Sequence, residues 1–154
     1  MTSPAEIYKS NIDGSGLTAL SSTNSQLMSR ANLKPAEDIE WTGALGKKIH
    51  GYIVKPTNFD ASRKYPLLVL IHGGPQSAWN DNWGYRWNPQ VFANAGYVVF
   101  APNPRGSTGY GRRFRNLLRD SWGIVDVEDC LAAARFLAAE GEVDGERLII
   151  TGGS

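Results

Sequence analysis

Three uninterrupted apolar runs constrain this chain more than any other feature: Pro66-Leu-Leu-Val-Leu-Ile71, Gly96-Tyr-Val-Val-Phe-Ala101 and Arg147-Leu-Ile-Ile-Thr151. None alternates apolar with polar residues. A strand facing water on one side alternates; a strand covered on both sides does not. The runs therefore predict strands of a parallel sheet sandwiched between helices. The intervening segments supply the helices. Pro89 to Ala95 is a short one, with Pro89 in its first turn. Ile124 to Glu140 is longer, with Ile124, Val127, Leu131, Ala134 and Ala138 at three- and four-residue spacing on one expected buried face, and Gly141 closing it. Strand–helix–strand–helix–strand is an α/β arrangement with right-handed crossovers.

The residues before Tyr65 read differently. Glu6–Ile12 and Leu17–Leu20 form a hairpin around Asp13-Gly-Ser-Gly16, too small to be stable alone. Residues 21–37 are a polar connector carrying Pro35. A second β region follows, with strands around Ile39 and Trp41 and around Ile49, Tyr52, Ile53 and Val54, joined by a turn at Gly43–Gly46 and ended by Pro56.

Composition excludes several classes of function. Sixteen Lys and Arg against 15 Asp and Glu leave a net charge of +1, with no electrostatic reason to expect a nucleic-acid partner or a polybasic membrane surface. No apolar run approaches a bilayer span, and no signal peptide is visible at the start. One cysteine, Cys130, rules out an internal disulfide, and with only His50 and His72 besides, no metal site is expected. Cys130 lies mid-helix and reads as core.

In an open parallel sheet, ligands bind beyond the carboxyl ends of the strands. Three segments occupy those ends: His72-Gly-Gly-Pro75, Asn103-Pro-Arg-Gly-Ser-Thr-Gly109 and Gly152-Gly-Ser154. A buried strand running into Gly-x-Ser is the first half of the nucleophile elbow of α/β-hydrolases, where a serine sits on a strained turn that leaves no room for neighbouring side chains. His72-Gly-Gly-Pro75 follows the first covered strand, where that fold places one oxyanion-hole donor. Ser154 is thus the candidate nucleophile, and the paired Gly73 and Gly74 let a substrate carbonyl approach closely enough for a backbone N–H of this loop to stabilise its developing charge.

His72 is not the general base, because in this fold the acid and the histidine follow the serine; it shapes its loop instead. His50 reads as a surface or packing residue. Arg105 either clamps a substrate carboxylate or pairs with a structural carboxylate such as Asp126 or Asp129. Asp126, Glu128 and Asp129 sit early in their helix and suit its dipole. The aromatic stretch Trp79–Trp87 either walls a specificity pocket or packs against a neighbouring domain.

Residues 65–154 resemble the prolyl oligopeptidase family of serine peptidases, and within it the acylaminoacyl-peptidase and dipeptidyl peptidase V branch. The likeness is carried by Lys-Tyr-Pro-Leu-Leu-Val-Leu-Ile-His-Gly-Gly-Pro-Gln (64–76), by residues 79–90, by Asn103–Gly111 and by Thr151-Gly-Gly-Ser154. Ile7-Tyr8 with Asp13–Thr18 is similar to the last hairpin of such a protein's β-propeller. Ile49–Pro56 resembles the strand entering its hydrolase domain.

The resemblance implies residues 1–36 as a propeller remnant with connector and 37–154 as the N-terminal part of an α/β-hydrolase domain. It implies Ser154 as the acyl-forming nucleophile, Gly74 as one oxyanion donor, no cofactor, and short peptides as substrates. The family's catalytic Asp and His, and the second oxyanion donor, lie beyond Ser154. The chain is therefore expected to be an internal fragment, inactive alone, of a peptidase releasing dipeptides or acylated residues. An esterase or lipase built on the same elbow, or a non-catalytic binding module retaining the fold, are the alternatives.

Overall fold

The computed structural model describes residues 1–154. In chain order the strands are β1 (Tyr8–Lys9), β2 (Thr18–Ala19), β3 (Glu37–Thr42), β4 (Lys48–Val54), β5 (Tyr65–Ile71), β6 (Val98–Asn103) and β7 (Val143–Gly152). The helices are α1 (Ser25–Met28), α2 (Pro89–Asn94), α3 (Gly111–Asn116) and α4 (Val125–Ala139). β1 and β2 pair only with each other, and the remaining strands form a five-stranded sheet in the order β3-β4-β6-β5-β7.

The three apolar runs lie side by side as expected. β5 pairs in parallel with β6 (Leu67 opposite Val98) and with β7 (Leu67 opposite Leu148). The β5–β7 register shifts between Pro66 and Leu67, where proline has no N–H to give the ladder. β3 and β4 form the expected hairpin and join antiparallel to β6, so the sheet is mixed.

Side-chain alternation along β5 distributes two cores. Leu67 and Val69 pack with Phe100, Trp41 and Ile49 toward Ala133, Ala134 and Leu137 of α4. Leu68 and Leu70 pack with Val54 and Val99 toward Ala93 of α2 and Met1. Phe100, Leu67, Leu70 and Val99 are fully buried, each contributing roughly 1.5–3 kcal/mol. α2 starts as expected, with Pro89 in its first turn and the Asn88 side chain accepting from Gln90 N–H at 3.0 Å. The connector is tied down by Gln90 Nε2, which donates to the Lys34 carbonyl at 2.6 Å.

One expectation is corrected. The buried face of α4 is Asp129, Cys130, Ala133, Ala134 and Leu137, whereas Ile124, Val127 and Leu131 are exposed. Small side chains let the helix lie close to the sheet, and an ion pair at Asp129, described below, selects that face. Asp129 is therefore not a solvated dipole partner. The third apolar run, in β7, lies at the edge of the sheet, with its outer apolar face open and Leu148, Ile149 and Ile150 exposed. Val127 and Ile150 line an open hollow of about 160 Å³ between α4 and this edge. The short helices α1 and α3 were not anticipated. No helix is long and apolar enough to cross a membrane.

Candidate active site

The carboxyl ends of β5, β6 and β7 lie together because these three strands are parallel neighbours. Each continues into one of the three glycine-containing segments singled out above. β7 ends at Gly152, and two residues later Ser154 has φ +77°, a value rare for a residue with a side chain. β5 ends at Ile71 and leads into His72-Gly73-Gly74-Pro75.

The two segments touch. Gly74 N–H donates to the Ser154 carbonyl at 3.4 Å. A Cβ at Gly73 would stand 3.0 Å from that same carbonyl oxygen, so a side chain there would push the loop off the serine. Gly153 is small for a different reason: a Cβ would meet the Trp87 ring at 2.5 Å.

A cavity of about 330 Å³ opens beside Ser154, walled by His72, Gly73, Trp79, Trp87 and Met1. Trp79 and Trp87 of the aromatic stretch line this cavity, while Tyr85 is exposed. Trp87 holds φ +56° just before the α2 cap, and its ring covers Gly153. The Trp79 indole donates to the Leu70 carbonyl at 2.9 Å.

His72 is committed to its loop. Nδ1 lies 2.8 Å from the Gly73 carbonyl and Nε2 lies 2.9 Å from Ser107 Oγ. Burial pushes its pKa below the ordinary imidazole range, opposed by the Gly73 carbonyl. Both ring nitrogens are thus engaged by loop groups rather than by Ser154. His50 is bound to Asp38 at 2.9 Å and to Tyr110 Oη at 2.6 Å on β4, away from the serine.

Arg105 points away from the cavity. Its Nε and Nη2 donate to the two carboxylate oxygens of Asp129 at 2.8 and 2.9 Å, and its backbone N–H adds a third bond at 3.0 Å. Arg105 is 3% exposed and Asp129 0%. These bonds to Asp129 favour the structural-partner alternative.

Sequence reasoning missed Asn103, Ser107 and Tyr110. Asn103 is wholly buried and bonds both backbone groups of Trp79. Its motif was recognised, but only the packing reveals what each of its residues touches.

Residues 83–154 match the model of the prolyl oligopeptidase family. A dipeptidyl-peptidase 5 of Schizosaccharomyces pombe is 47% identical over 119 residues, which cover 77% of this chain and 17% of that protein. A puromycin-hydrolyzing peptidase of Mycobacterium tuberculosis superposes with a TM-score of 0.85 at 32% identity, over 99% of this chain and 24% of that one. The chain belongs to the prolyl oligopeptidase family.

An acylaminoacyl peptidase of Pyrococcus horikoshii also superposes, with a TM-score of 0.80 at 30% identity, over 98% of this chain and 24% of that structure. This prolyl oligopeptidase family member thus spans about a sixth to a quarter of these relatives. The mixed sheet with helices on both faces is that of the family's α/β-hydrolase fold.

Proposed function

We propose that these residues form the nucleophile half of a serine peptidase active site, acting on short peptides as a dipeptidyl- or acylaminoacyl-peptidase. Ser154 Oγ attacks the scissile carbonyl carbon, and the C–N bond breaks as the acyl-enzyme forms. The oxyanion is stabilised by Gly74 N–H, freed from the Ser154 carbonyl when substrate binds. Gly73 lets the substrate approach closely. The observation that carries this reading is the strained Ser154 backbone meeting the Gly73–Gly74 loop beside a tryptophan-walled cavity.

A peptidase is favoured over an esterase by that aromatic wall together with the named relatives. The proton from Ser154 needs a base that His50 and His72, both engaged elsewhere, do not supply. The 154 residues alone therefore turn over no peptide. The hairpin of β1 and β2, apart from the main sheet, is proposed as the end of a β-propeller, with residues 1–36 as its remnant and connector and 37–154 as part of the hydrolase domain.

The test is fluorophosphonate labelling of the gene product that contains these residues. Labelling at Ser154, its loss in Ser154→Ala, and hydrolysis of peptide nitroanilides in preference to short-chain acyl esters are expected. Labelling elsewhere, or an ester preference, overturns the reading.

A further inference from the structure

The segment Asn103–Gly109 carries no group into the cavity, yet it makes most of the non-local hydrogen bonds that hold the loop supplying the oxyanion donor. Trp79 N–H donates to Asn103 Oδ1 at 2.7 Å, and Asn103 Nδ2 donates back to the Trp79 carbonyl at 3.0 Å. Thr108 N–H donates to the Ser77 carbonyl at 2.8 Å. Ser107 Oγ, which donates to the Pro104 carbonyl at 2.7 Å, also lies 2.9 Å from His72 Nε2. These contacts grip residues 72–79 at their start, middle and end.

By contrast, the loop's own backbone bonds are few: Ser77 N–H to the Pro75 carbonyl at 2.9 Å, and Gly74 N–H to Ser154. The gripping segment is itself anchored on the scaffold. Arg105 fastens it to α4 through Asp129, and Gly106 N–H donates to the Phe114 carbonyl in α3 at 3.3 Å. Asn103 is further held by Tyr110 Oη at 2.9 Å. Asn103 and Ser107 are almost wholly inaccessible to solvent, so water does not replace these bonds.

We infer that Asn103 and Ser107 are positioning residues for the reaction, holding the 72–79 loop so that Gly74 N–H is aimed at the oxyanion. This deepens the reading of Ser154 and Gly74 given above and rests on it. An oxyanion donor works only when placed in advance. Its complete loss costs ~10²–10³ in rate, and a misplacement of about 1 Å costs about 10²-fold. A loosened loop therefore lowers transition-state binding more than ground-state binding, and Ser107→Ala separates the two more cleanly than Asn103→Ala, because Asn103 also holds Trp79 of the pocket wall.

The experiment compares Ser107→Ala and Asn103→Ala in the gene product containing these residues, with rates expressed per active site titrated to completion with fluorophosphonate. Unfolded enzyme then drops out of the comparison. The expected result is a kcat lowered about 10- to 100-fold, with KM within about threefold of wild type. The affinity of a peptide boronic acid, which forms a tetrahedral adduct, should fall in parallel with kcat/KM, and that of the product dipeptide should not. If Asn103→Ala does not fold, Ser107→Ala alone decides. An unchanged kcat per site, or a rise confined to KM, overturns the inference while the labelled wild-type serine leaves the nucleophile assignment standing. A wild type that does not label at Ser154 overturns both.

Discussion

Asp129→Ala tests how this fold is locked together. Three Arg105 donors, the backbone N–H, Nε and Nη2, converge on the two Asp129 oxygens at 2.8–3.0 Å, with both residues shielded from water. Removing the carboxylate leaves the guanidinium with the Val125 carbonyl at 3.1 Å and the half-exposed Glu128 at 3.6 Å. Breaking a buried pair by deleting one partner costs about 3–5 kcal/mol, against about 0–1 for an exposed pair. A domain's total stability is only about 5–15 kcal/mol, so the loss is a large share of it. Urea unfolding followed by tryptophan fluorescence measures it, with the midpoint falling and the slope unchanged. The double variant Arg105→Met, Asp129→Leu removes both charges and should recover most of the stability. A single-variant loss below about 1 kcal/mol would refute the reasoning, because it would mean that the arginine reaches solvent without disturbing α4 or the loop it anchors.

Further outcomes follow from burial and exposure. Burial, with Asp129 and Asp126 nearby, pushes the Cys130 thiol up to about 12. The folded state then holds its proton where the unfolded thiol, near 9.0, has lost it. This contribution to stability is intact below pH about 9 and lost as pH rises toward about 12. Cys130→Ala should flatten that alkaline decline in chemical-denaturation profiles, and a thiol reagent should modify Cys130 only after unfolding. Adding a methyl group in Gly51→Ala would bring it 2.8 Å from the Ala101 carbonyl on β6, and thermal melts should show a loss of about 1–3 kcal/mol. The exposed apolar edge of β7 should drive self-association of the isolated chain. Sedimentation velocity should detect it and show it reduced in Ile150→Lys; a soluble, cooperative monomer would contradict the edge argument.

What could be read from the chain alone was whatever local patterning encodes. Unbroken apolar runs distinguished covered strands from the alternating hairpin, because period and length reflect how many faces a strand buries. Glycines beside Ser154 and after Ile71 marked places where backbone approaches backbone, and the structure brings Gly74 to the Ser154 carbonyl. Local patterning did not choose the buried face of α4, since apolar spacing alone admitted the stripe through Val127 and Leu131. Arg105, 24 residues before Asp129, rotates the helix to the other face, and that pairing exists only after β6 and α4 have packed. Likewise the Asn103–Gly109 motif was visible as a string, while its grip on Trp79 and His72 depends on two loops meeting across the end of the sheet. Short-range sequence thus determined the elements and the serine's setting. Long-range contacts, whose partners are far apart in the chain, decided which faces turn inward and what holds the oxyanion loop still.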